Sequence, residues 1–222
     1  MHIWFLISIL GMIAIVPVHF LSVERLRLQR RYGKEKGSKI GNICGLISGW
    51  GFFIFWIGIW VSPQPRFAVP VLWNLSFFVL GSDFSIHLIH LVISSPLLIV
   101  GPWLAINGVK ETTLKVAETH SAETVVTTGS FSIVRHPQYF GGLLAHAGIS
   151  FLFSAWYSLL FTPLVVALVY LISRKEEREL IREFGNEYEN YRKKVPMLVP
   201  RLRNRHKHKR NSPAGRNRQH NI

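Results

Sequence analysis

Cysteine is nearly missing from this chain. Cys44 stands alone among 222 residues, which excludes an internal disulfide and any metal site built from cysteines. Acidic residues are scarce as well: 12 Asp and Glu face 26 Lys and Arg, for a formal net charge of +14. Charged residues of both signs make up 17%, below the quarter or so usual in soluble globular domains. These shortages exclude collagen-like, coiled-coil and disulfide-rich classes. Apolar residues are abundant: 49% of the chain is hydrophobic, and the mean hydropathy is +0.24. A chain this apolar and this basic keeps its two characters in separate stretches.

A helix crosses the hydrocarbon of a bilayer with about 20 apolar residues. Five stretches suit that role, at 3–21, 40–61, 84–109, 139–153 and 156–173. No formally charged residue occurs from Tyr139 to Ser173. As one helix that run would be roughly 50 Å long, too much for a single crossing. Ser154, Ala155 and Trp156 therefore read as the tip of a helical hairpin with two short arms. Phe67 to Leu80 is apolar but short, carries Pro70 and Asn74, and reads as re-entrant or interfacial.

The basic residues fix the sidedness expected of such a chain. Seven Lys and Arg lie in Glu24–Lys39, three in Lys110–Arg135 and fifteen after Ser173, leaving only Arg66. With five spans those 25 share one side, as the positive-inside rule asks of cytoplasmic segments. The reading is a multi-pass integral membrane protein, N-terminus outside and C-terminus cytoplasmic. The first apolar run is followed, not preceded, by its basic cluster, the mark of an anchor and not of a cleaved signal. Arg174 to Tyr191 reads as an amphipathic helix, with Leu180, Ile181, Phe184 and Tyr188 at helical spacing. Val195–Pro200 reads as extended and packed. Residues 201–222 hold eight Lys and Arg and no acid. They are expected to be a disordered tail that adheres to anionic lipid headgroups, with no specific nucleic acid as partner.

Chemistry concentrates at Thr128-Gly129 and Arg135-His136-Pro137-Gln138-Tyr139, the mouth of the fourth helix. Pro137 suits a first helical turn, where a missing N–H costs nothing. Antiparallel hairpin arms bring Arg135–Tyr139 beside Arg174–Glu177 at the membrane surface. The residues alone admit two readings: snorkelling interface side chains, or a ligand site of a helix N-terminus, aromatic rings, an Arg–His pair and two carboxylates beside an apolar cavity.

Arg135-His136-Pro137-x-Tyr139, Gly141, Glu176-Glu177, Leu180, Phe184-Gly185, Tyr188, Tyr191, Val195-Pro196 and Pro200 together resemble the isoprenylcysteine carboxyl methyltransferase family. More broadly they resemble the membrane methyltransferase superfamily that includes phospholipid N-methyltransferases. The resemblance covers about half the chain and none of the first two helices, which carry no motif and support only topology. It implies an all-α integral membrane protein of about five transmembrane helices, with a cytoplasmic cofactor pocket and a C-terminal amphipathic helix. Residues 1–200 would form one domain. It implies S-adenosylmethionine as cofactor, bound through Gly129, Arg135, His136, Pro137, Tyr139, Glu176 and Glu177. The acceptor would be apolar or lipid-attached, with prenylcysteine carboxylate favoured. Relatives with carboxylate substrates place an Arg four residues before the acidic pair. Here that position is Ile172, and Arg174 is the only candidate for substrate positioning, about 200° further round the helix.

Competing functions are an NADPH-dependent membrane sterol-type reductase, a phospholipid or thiol methyltransferase, and a non-catalytic membrane adaptor. The reductase reading asks for a longer chain and does not favour the Glu-Glu and Phe-Gly-x-x-Tyr pattern. His87 and His90 read as helix–helix polar contacts and not as metal ligands, and His146 as a packing residue.

Overall fold

The computed structural model describes residues 1–69, 75–78, 85–113 and 124–201, and its architecture is mainly helical. Three helices are long and apolar enough to cross a membrane: α1 (Ile3–Val23), α3 (Lys34–Val61) and α4 (Leu88–Thr112). Between the first two, the short basic α2 (Arg25–Tyr32) packs back on α3. After α4 come a 3-10 turn (Gly129–Ser132), α5 (Pro137–Leu152), the single-turn α6 (Trp156–Leu160), α7 (Thr162–Phe184) and α8 (Asn186–Lys194).

Several boundaries differ from those read in the sequence. The third long helix starts at Leu88, because Ser85–His87 is a strand, β2, paired antiparallel with β1, Ser76–Phe78. Within Phe67–Leu80 the described residues are extended chain and strand; the rest of that segment, and Asp83, lie outside the described residues. The hairpin tip falls at Ser154 as expected, but α6 is inserted before the second arm. The segment expected as a separate amphipathic helix from Arg174 continues α7 without a break, and the helix ends only at Gly185. The basic tail from residue 202 lies outside the described residues.

Helices pair along small residues. On α4 and α5 a Cβ at Gly101 would sit 2.7 Å from the Gly141 carbonyl oxygen, so only glycine allows this backbone-to-backbone approach. α1 buries Phe5, Ile9, Met12, Val16, His19 and Val23, a stripe recurring every 3.5 residues, against α3 and α7. α7 answers with Val165, Leu168, Val169 and Ile172.

The bundle has two distinct ends. At one, the turn after α3 closes over the hairpin tip: the Phe67 N–H donates to the Ser154 carbonyl, and the Trp156 N–H to that of Pro65. At the other lie the C-terminal parts of α1, α4 and α7, the start of α5, and α8. His90, at the first end, accepts from the Val69 N–H and meets Ser154 Oγ at 2.9 Å. His146 is a packing residue as read: its Nδ1 accepts from the indoles of both Trp56 and Trp60, at 2.9 and 2.8 Å. That leaves Nε2 to face Thr162 Oγ1 at 3.3 Å.

Candidate functional site

The buried face of α7 changes chemistry along its length. Val165, Leu168 and Ile172 are followed at the same helical spacing by Glu176, Glu179 and Glu183, of which Glu179 is buried, Glu176 partly buried and Glu183 exposed. One stripe thus runs from hydrocarbon-like packing into a row of carboxylates. Glu177 points about 100° away from Glu176.

Glu176 is the hub. It accepts the Tyr139 hydroxyl, lies 2.9 Å from His19 Nε2, and lies 3.4 Å from His136 Nδ1. Glu177 accepts from Arg135 Nε at 2.6 Å and lies 3.4 Å from His136 Nε2. His136 is therefore wedged between the two acids at ion-pair distances, longer than the usual 2.7–3.2 Å of an N–H···O bond. Its ring stacks on that of Tyr139, 14° from parallel with centroids 5.6 Å apart. Among the described residues its buried Nε2 has no hydrogen-bond partner.

Burial opposes charge on His136, but the two neighbouring carboxylates outweigh it and hold the imidazole above its ordinary value. Burial likewise opposes ionisation of Glu176, and His136 and His19 outweigh it, holding that carboxyl well below the usual range. Glu177 is held low against its own burial by His136 and Arg135. The cluster is thus charged and mutually compensated, the condition under which buried charges persist.

Arg135 also pins the chain's C-terminal strap. Its guanidinium donates to the carbonyls of Arg192 and Val195, its N–H to that of Pro196, and the His136 N–H to that of Met197. Val195 and Leu198 of this strap are buried, as expected, but the chain bends at residues 197–199 and Val199 is exposed, so the strap is extended and packed only in part. Tyr191 donates to the Phe131 carbonyl at 2.6 Å, and Tyr188 and Tyr191 pack with Val125, Phe131, Leu180 and Phe184.

These groups open on a cavity of about 750 Å³. Trp50, Phe52, Phe53, Trp56, Val169 and Ile172 form an apolar wall. The lining also carries His19, Glu111, Glu176, Glu179, Glu183, Tyr188 and Tyr191, together with Arg135, His136, Pro137 and Tyr139. Gly129 serves this site indirectly. It has φ +56, and a Cβ there would strike the Glu111 carboxylate, which accepts from the Ser130 N–H and hydroxyl.

The structure thus brings Arg135, His136, Pro137, Tyr139, Glu176 and Glu177 together. Three expected residues do not line the cavity: Gly129 acts only through Glu111, and two others sit differently. Glu177 is turned away from the cavity toward Arg135, and Arg174 is exposed, donates to the Tyr170 hydroxyl and lines a separate cleft. Sequence reasoning missed His19, Glu111, Glu179 and Glu183. α1 supplies more than topology: His19 holds Glu176, and Lys175 joins Glu24, at the end of α1, to Glu179. The signal was present, since His19 falls on the buried 3.5-residue stripe of an otherwise charge-free helix, where an ionisable group marks function.

Residues 89–187 of the chain match the phospholipid methyltransferase family. Over 82 residues it is 42% identical to methanethiol S-methyltransferase 2 of Bradyrhizobium diazoefficiens, covering 37% of this chain and 31% of that protein. It is 40% identical over 78 residues to methanethiol S-methyltransferase of Pseudomonas deceptionensis, covering 33% of this chain and 27% of that protein. It is 39% identical over 79 residues to protein-S-isoprenylcysteine O-methyltransferase of Schizosaccharomyces pombe, covering 34% and 33%. The aligned stretches span about a third of the length of these relatives. No solved structure matches the chain.

Proposed function

We propose that the chain transfers a methyl group from S-adenosylmethionine to an apolar acceptor at the membrane–cytoplasm interface. The observation that carries this reading is the mixed lining of one cavity, which sets carboxylates and phenols together with indole and phenyl rings. S-adenosylmethionine bears a sulfonium and an ammonium, so acids and aromatic faces are complementary to it. His136 Nε2 makes no hydrogen bond among the described residues, its nearest carboxylate being Glu177 at 3.4 Å, which leaves it able to meet a ligand atom. Glu176, Glu111 and Tyr139 would hold the cofactor, with Tyr188 and Tyr191 beside it. When bound it supplies an electrophilic methyl group. The chain's own task is alignment and exclusion of water: α8 and the strap pinned by Arg135 cover the polar lining, and the aromatic wall dries the acceptor side.

The reading extends to the bilayer. α5 and the first part of α7 are the fourth and fifth spans in this proposal, with the polar lining of the cavity on the cytoplasmic side. The basic segments then share that side.

Prenylcysteine carboxylate is the acceptor the motif set implies. A second acceptor, an apolar thiol, is favoured by the cavity wall. The basic side chains among the lining residues are His19, Arg135 and His136, and each faces Glu176 or Glu177. A substrate carboxylate would have to compete with them for a counter-charge, and Ile172 adds none. Labelled S-adenosylmethionine binding to detergent-purified protein tests the proposal. Glu176→Ala and His136→Ala are each expected to weaken binding by about tenfold or more. Saturable binding of NADPH in its place would overturn it. Turnover of farnesylcysteine analogues against alkyl thiols then separates the two acceptors.

A further inference from the structure

The face of α7 turned away from the cavity carries a second feature. A cleft of about 480 Å³ is lined by Arg135, Tyr170, Arg174, Glu177, Arg178, Arg192 and Met197. Tyr170, Arg174 and Arg178 follow one another at i, i+4 and i+8, one row of the helix at steps of about 6 Å. Arg192 joins them from α8.

The charges in this cleft do not balance. Its one carboxylate, Glu177, is held by Arg135. Among the described residues no carboxylate pairs with Arg174, Arg178 or Arg192, and the Arg174 guanidinium meets only the Tyr170 hydroxyl, at 3.1 Å. Three like charges gathered around a concave surface repel one another until an anion enters. The planar guanidinium fork matches phosphate oxygens in bidentate geometry.

Depth along α7 says where that phosphate comes from. On the N-terminal side of the arginines, Val166, Tyr170 and Leu171 are exposed and apolar or aromatic. Tyrosine favours the boundary between acyl chains and headgroups. An arginine one turn beyond Tyr170 and another two turns beyond lie at the level of lipid phosphates. The geometry points to a binding site for the phosphoryl headgroup of an anionic phospholipid, built from Arg174, Arg178 and Arg192 beneath Tyr170. It rests on the proposed membrane placement of α7. With no free carboxylate in the cleft, a zwitterionic headgroup finds no partner for its ammonium.

Native mass spectrometry of the full-length protein in detergent, exchanged with phosphatidylglycerol or phosphatidylcholine, tests the site. Phosphatidylglycerol should be retained in preference to phosphatidylcholine, and Arg178→Gln/Arg192→Gln should weaken its retention roughly tenfold. Lys193→Gln/Lys194→Gln, with the same charge change on α8 outside the cleft, should retain it as the parent does. The single change Arg178→Gln, at an exposed position, gives the same direction should the double variant fail to fold. Equal retention in parent and cleft variant, an equal loss in the lysine variant, or equal retention of phosphatidylcholine would each overturn the proposal. Displacement of the lipid by inorganic phosphate alone would overturn its assignment to a lipid. S-adenosylmethionine binding on the same preparations is read separately, so failure of the methyltransferase reading is told apart from failure of this one.

Discussion

Glu176 faces a phenol and two imidazoles at once, and the titration of His136, Glu176 and Glu177 bears on the site's stability. Two opposite shifts set the window. His136 is held above its ordinary value of 6.5; its contribution is complete below 6.5 and is lost as pH rises through the raised value. Glu176 and Glu177 are held below 4.5; theirs is complete above 4.5 and is lost as pH falls through the lowered values. Thermal unfolding in detergent should therefore show its highest midpoint between those two ordinary values. His136→Gln, which cannot titrate, should abolish the part of the alkaline decline that comes from this imidazole. Gly129→Ala tests another single position. Its φ of +56 and the Glu111 carboxylate in the path of a Cβ should cost about 1–3 kcal/mol, read as a lowered unfolding midpoint.

Among the elements, the strap and α8 depend on one side chain. Arg135→Gln leaves Glu177 buried without its cation and loosens the carbonyls of Arg192 and Val195. Removing one partner of a buried pair costs about 3–5 kcal/mol. Limited trypsin digestion should then cut faster at Arg192–Lys194 than in the parent, and S-adenosylmethionine binding should weaken in parallel. Much of this layer was legible beforehand. Long charge-free runs gave α1, α3 and α4. The apolar run from Tyr139 to Ser173 gave a hairpin turning at Ser154, and Arg135–Tyr139 met Glu176–Glu177 because antiparallel arms must bring them together. What was not legible depended on tertiary contacts. Ser85–His87 left the helix because it found a strand to pair with. The amphipathic stretch after Arg174 did not separate from α7: its apolar Leu180, Ile181 and Phe184 pack in a second cluster with Tyr188 and Tyr191, and no helix breaker stands between Ile172 and Gly185. Glu111 was missed because its partner lies 19 residues away, and His19, though visible on the stripe of α1, gave no sign of a partner 157 residues away.

Across the whole molecule the chemistry gathers at one end and the aromatic and apolar packing runs the other way. His19 from α1, Glu111 from α4, Tyr139 from α5 and Glu176 from α7 converge there, so the site exists only when helices distant in sequence have assembled. Every residue proposed to hold the cofactor lies before Arg201 in the chain. A chain ended at Arg201 is therefore expected to bind S-adenosylmethionine as the full chain does, a comparison that equilibrium binding of the two proteins makes directly. Trp56 has a further consequence. Its indole borders the cavity while its N–H is tied to His146 alongside that of Trp60. Its excited state thus samples the cavity's contents from a fixed mount, and filling the cavity should change the intrinsic emission of the protein. Trp56→Phe should remove most of that change, giving a label-free optical titration.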